Sequence, residues 1–198
     1  MDHDHDLLSS AEIAALSRRL DRPIVLVGMM GVGKTTVGRK IAQLLDVPFV
    51  DADEAIEQAA HMPIPEIFAA FGEPYFRDGE RRVIARLIDS PRTDSGDGRN
   101  VKVIATGGGA FCNDATRALV LEKAIGVWLD ADVEVLLERV KRKNNRPLLQ
   151  QGDPRETLTR LRDERQPFYA QAPIHIISCN TPHARTALEI LKEIDAWL

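Results

Sequence analysis

"IVLVGMMGVGKTTVGRKIAQLL", residues 24–45, is the stretch that decides the fold. Its first five residues, 24–28, form a short apolar run rich in β-branched side chains, the composition of a buried strand. Residues 34–45 have helical periodicity. Between them, Gly28 to Thr35 match G-x-x-x-x-G-K-[ST]. A strand that runs through this loop into a helix is a phosphate cradle. Glycines let the chain wrap closely, backbone N–H groups turn inward, and the helix N-terminus adds partial positive charge. Gly28, Gly31, Val32, Gly33 and Thr36 are therefore candidate phosphate contacts. Lys34 is placed to reach the β- and γ-phosphates and Thr35 to coordinate Mg²⁺. The motif implies a nucleoside triphosphate and Mg²⁺ and leaves the reaction open.

Outward from this stretch, strand and helix signals alternate. Further strands are expected at 47–53, 101–106, 125–130 and 174–178. Helices are expected at 53–60, 65–71, 74–89, 113–123 and 132–143, with Gly72 as a helix stop and Asn113 as a cap. Asp153, Pro154 and Glu156 open another helix, and Thr181 and Pro182 a last one. The last helix places Ala184, Ala187, Leu188, Leu191 and Ile194 on one face. Five apolar strands separated by helices predict a parallel sheet covered on both faces. Ser9 and Glu12 form a capping box for a short helix, so residues 1–20 read as a helical, partly disordered extension to a single domain over 21–198. Residues 90–100 are turn-formers and charge, a surface loop.

The chain's 198 residues suit one domain with its own core. A net charge of −4 gives no global basic field for nucleic acid, so cations that hold anionic ligands must be local. Cys112 and Cys179 lie far apart and form no C-x-x-C, which argues for reduced thiols in a cytoplasmic protein. No apolar run approaches a membrane span, and the first ten residues lack the order of a signal peptide.

Two further features bear on the acceptor of the phosphate. Asp51 and Asp53 close the strand expected at 47–53, where residues i and i+2 share a face. Paired carboxylates at a strand's carboxyl end beside a phosphate loop suit Mg²⁺ and a substrate hydroxyl. Gly107, Gly108 and Gly109 follow the next strand, and three consecutive glycines are costly to order. No N-K-x-D for guanine is present, which argues against a GTPase.

The chain resembles the shikimate kinases. The resemblance rests on "GMMGVGKTT", "DADEAIE", "FGEPYFRDGE", "ATGGGA", "RPLL" and "RDERQPFY", in the family's order, and spans about residues 22–197. It implies the three-layer P-loop kinase fold with a mobile lid near 141–153, and transfer of the γ-phosphate of ATP to the 3-hydroxyl of shikimate. Carried onto this sequence, it makes Asp53 the base and positioner, and Asp51 a holder of Mg²⁺. Arg77 and Arg165 clamp the carboxylate, and Glu80 fixes Arg77 and contacts a ring hydroxyl. Phe76 forms an apolar wall, and Gly107, Gly108 and Gly109 offer main-chain N–H groups to the acceptor. Arg146 swings from the lid onto the phosphates. Arg139 packs on adenine, with Asn180 to Pro182 opposite. A kinase for another polyol acid, such as gluconate, shares the architecture but does not need the D-x-D, F-R-x-x-E and G-G-G set together. The expectation is a cytoplasmic monomer engaging neither nucleic acid nor membrane.

Overall fold

The computed structural model describes residues 7–90, 99–141, 153–178 and 181–198. Five parallel strands form one sheet in the order β2-β3-β1-β4-β5. They are β1 (Ile24–Val27), β2 (Phe49–Asp51), β3 (Val103–Ala105), β4 (Ile125–Asp130) and β5 (Ile174–Ile177). The helices are α1 (Ser10–Arg19), α2 (Lys34–Leu45), α3 (Ala52–Ala60), α4 (Ile64–Asp89), α5 (Asp114–Lys123), α6 (Val133–Lys141), α7 (Pro154–Tyr169) and α8 (His183–Trp197). This is the three-layer α/β arrangement of the P-loop kinases.

Burial follows position in the sheet. Every residue of β1, β3 and β4 is buried, whereas β5, on an edge, alternates buried and exposed. The chain moves to one side of β1 for β2 and β3, and to the other for β4 and β5. The loop leaving β1 therefore lies at the point where the winding reverses, the place where open parallel sheets bind ligands. Because all strands run the same way, the ends of β1, β2 and β3 deliver Gly28, Asp51 and Thr106 to one edge.

Local signals account for most boundaries. Ser9 and Glu12 form the capping box of α1, and Asn113 and Asp153 cap α5 and α7. Ile13, Leu16 and Leu20 are buried in the main core, and α1 packs on α2. The stop expected at Gly72 is present, and two helical stretches within Ile64–Asp89 meet there at a kink. Gly72 takes φ 79° and ψ 174° inside α4, and the chain resumes the helix through Pro74. In α8 the buried face is Thr186, Ala187, Ile190, Leu191 and Ile194, while Ala184 is exposed. The helix begins only at His183, so Ala184 lies in its open first turn.

The strand expected at 47–53 is shorter, and this changes the carboxylates. β2 ends at Asp51, whose side chain accepts from the Asp53 N–H at 3.1 Å and so caps α3. Asp53 therefore stands in the first turn of a helix, not two residues along a strand from Asp51. The cap hydrogen bond turns the chain before a further strand residue can form.

Candidate active site

The phosphate loop is built from glycines that other residues cannot replace. Gly28 has φ 130°, and a Cβ there would lie 2.1 Å from the Leu129 carbonyl oxygen. Gly33, at φ 106°, is the N-cap of α2 and supplies no side chain to the first-turn N–H groups. Those N–H groups, with the helix dipole behind them, form an anion site. Lys34 is 9% exposed, and its Nζ donates to the carbonyls of Gly28 at 2.7 Å and Met29 at 2.9 Å. Val32 is wholly buried, and its N–H donates to Met29 at 3.4 Å.

The cation-binding candidates meet next to this loop. Thr35 Oγ1 donates to Asp51 Oδ2 at 2.8 Å. Both residues line a cleft of about 510 Å³, which also reaches Gly31, Thr36, Asp53, Gly107 and Gly108. A hydroxyl and a carboxylate are hard oxygen donors, which suits Mg²⁺. No cluster of three or more His, Cys, Asp or Glu suited to a metal occurs among the described residues.

Asp53, Arg77, Glu80 and Arg165 come from α3, α4 and α7 and converge on the glycine triplet. A Cβ at Gly107 would lie 2.7 Å from Glu80 Oε1 and 2.9 Å from Asp53 Oδ1. At Gly109 it would lie 2.8 Å from Arg77 Nη1, and at Gly108 3.3 Å from Arg165 Nη1. The triplet thus leaves room for four ionisable side chains that a methyl group would displace. None of the three has the positive φ that would by itself require glycine.

Arg77 is held from both sides. Its Nη1 donates to Glu80 Oε2 at 2.8 Å, and its Nε and Nη2 donate to Glu73 Oε1 at 3.1 Å. The guanidinium lies over the Phe76 ring at 5.2 Å. Phe76, expected as an apolar wall, is buried with Ile56 and Ile67 beneath that guanidinium. Burial raises the Glu80 carboxyl above the usual carboxylate range, against the hydrogen bond from Arg77 and with Asp53 adding to the rise.

At the other end of the cleft, Arg139 donates to the Val32 carbonyl at 3.0 Å and to Ser178 Oγ at 3.2 Å. Thr181 and His183 line this end, while Pro182 is exposed as the N-cap of α8. Arg146, most of the stretch 141–153, Cys179 and Asn180 lie outside the described residues. Sequence reasoning missed Thr106, His183 and Tyr169. Thr106 directly precedes the triplet, and its hydroxyl ties β3 to the Leu26 carbonyl of β1 at 3.0 Å. Tyr169 follows Arg165 by one helical turn, a spacing visible in "RQPFY".

The family model for shikimate kinase matches residues 30–195. The chain belongs to the shikimate kinase family. A shikimate kinase of Novosphingobium aromaticivorans is 69% identical over 200 residues, covering 100% of both chains. Among solved structures, a shikimate kinase from Acinetobacter baumannii in complex with shikimate superposes with a TM-score of 0.82 at 37% identity, covering 91% of this chain and 97% of that one. The shikimate kinase of Aquifex aeolicus gives a TM-score of 0.74 at 33% identity, covering 88% of this chain and 96% of that one. Membership of the shikimate kinase family makes the chain an ATP-dependent phosphotransferase.

Proposed function

We propose that the chain transfers the γ-phosphate of ATP directly to the 3-hydroxyl of shikimate. The observation that carries this reading is the convergence of two carboxylates and two guanidinium groups on Gly107–Gly109, beside the phosphate loop. Shikimate presents one carboxylate and three hydroxyls on a small ring. The guanidinium forks of Arg77 and Arg165 suit the carboxylate. Glu80 holds Arg77 and accepts from a ring hydroxyl. Asp53 accepts from the reacting hydroxyl, positions it, and takes its proton as the bond to phosphorus forms. Phosphoryl transfer is loose, so positioning dominates the gain in rate.

Lys34, Gly31, Gly33 and Thr36 hold the phosphates, and Thr35 and Asp51 hold Mg²⁺. When bound there, the ion would neutralise charge on the phosphate oxygens. Arg139, Pro182, Thr181 and His183 surround the base. Arg146 stabilises charge on the transferring phosphoryl group. Residues 21–198 form the kinase domain, and the extension docks on it through Ile13, Leu16 and Leu20. We place the enzyme in the cytoplasm as a monomer. Among the described residues no helix is long and apolar enough to cross a membrane.

The test is ADP release with MgATP against shikimate, quinate, gluconate, a nucleoside monophosphate and no acceptor. Turnover with shikimate alone is the expected result. ADP release regardless of acceptor, or with gluconate in preference, overturns the reading.

A further inference from the structure

Tyr169 has no role in the mechanism above, yet its hydroxyl reaches the acceptor loop. It stands on α7 four residues after Arg165, so the two side chains leave the same face of the helix. The residue is 1% exposed, and its ring lies 6.0 Å from that of Trp128. Its hydroxyl donates to the carbonyl of Gly108 and lies 3.9 Å from Met29 Sδ in the phosphate loop. Burial raises the phenol far above its ordinary value, despite the nearby Arg165, so it stays a proton donor.

Three glycines in a row carry no side chains that could hold their peptide planes. The carbonyls of Gly107 and Gly109 accept from the N–H groups of Ala110 at 3.2 Å and Cys112 at 3.1 Å, and the Gly108 carbonyl accepts from Tyr169. A trans peptide is planar, with its C=O and N–H pointing in opposite directions. With the Gly108 carbonyl drawn toward buried Tyr169, the N–H of Gly109 faces the other way. Among the described residues, neither the Gly108 nor the Gly109 N–H donates to a backbone carbonyl.

We propose that Tyr169 is a positioning residue of the acceptor site: its hydroxyl fixes the Gly108–Gly109 peptide so that the Gly109 N–H faces the substrate. Because α7 also carries Arg165, the same hydrogen bond sets the spacing between this donor and the carboxylate clamp. The inference rests on the reading of Gly107–Gly109 and Arg165 as the acceptor site.

Tyr169→Phe removes one oxygen and leaves the ring against Trp128. The shikimate KM should rise about threefold to tenfold, the change that follows from one lost hydrogen bond. The ATP KM should stay within about twofold, since the phosphates are held elsewhere. Leu161→Ala, in the buried face of the same helix, reports general loosening. It should lower the melting temperature and leave the shikimate KM unchanged. An unchanged KM in Tyr169→Phe, or an equal rise in both variants, overturns the proposal. A second measurement needs no variant. In ¹⁵N-glycine-labelled wild type, shikimate should shift the Gly109 amide resonance. Normal turnover of shikimate with an unmoved Gly109 amide overturns this inference alone. No turnover of shikimate by the wild type overturns the parent reading and this inference with it.

Discussion

Glu80 and Arg77 share one hydrogen bond of 2.8 Å, accepted by Glu80 Oε2, while Glu80 Oε1 is buried with no partner among the described residues and faces Gly107. One carboxylate thus has two duties. One oxygen holds Arg77, and the other is left for a donor that the described residues do not supply. A substrate hydroxyl is such a donor, and a buried acceptor gains more from it than an exposed one.

Glu80 should therefore cost stability where it is charged. Burial raises its carboxyl in the folded state above the unfolded value. The folded protein then binds that proton more tightly, and stability rises as pH falls through the folded value, levelling off below the unfolded one. Glu80→Gln cannot titrate. Melting curves of the two proteins from pH 8 to pH 4 should show the wild type gaining on the variant as pH falls. A difference that moves the other way refutes the assignment.

Asp53→Asn keeps the shape and the backbone N–H that donates to Asp51. It removes the acceptor for the reacting hydroxyl's proton. Turnover should fall about 10²- to 10⁴-fold, the range for loss of a general base. ATP affinity, read by calorimetry, should hold. Near-normal turnover would remove the role.

Two glycines should respond in opposite ways. Gly28→Ala forces a methyl group 2.1 Å from a main-chain oxygen at a positive φ. It should cost about 3 kcal/mol or more in unfolding free energy. In Gly109→Ala the nearest atoms to the new methyl group belong to the far end of the Arg77 side chain. That variant should fold with little loss and raise the shikimate KM, because the guanidinium is pushed off its place. Denaturation and kinetics on the pair separate the two costs.

Arg165→Lys replaces a planar fork by a point charge. The shikimate KM should rise about tenfold to a hundredfold, the worth of a charged hydrogen bond, with kcat changed less. An unchanged KM would refute the clamp.

The phosphate loop was legible because its physics is local. A strand, a glycine turn, a lysine and a helix N-terminus lie within 24–45, and backbone geometry alone brings them together. The alternation of strands and helices was legible for the same reason, as were the caps Ser9, Asn113 and Asp153. The roles of Arg77, Glu80 and Arg165 came from family resemblance, since an Arg and a Glu three apart on a helix otherwise describe an ordinary surface pair.

By itself the sequence determined the parallel α/β class, the nucleotide loop and the local order of its elements, because hydrophobic period and turn chemistry act over a few residues. Only the tertiary structure showed what surrounds the triplet Gly107–Gly109. Its members are small because Asp53, Glu80, Arg77 and Arg165, distant in sequence, crowd the same few ångströms. It also decided that Asp51 caps α3 and that Tyr169 reaches Gly108. Those contacts depend on how far each strand runs before it turns, and on which helices the sheet brings face to face. No short-range pattern carries either quantity.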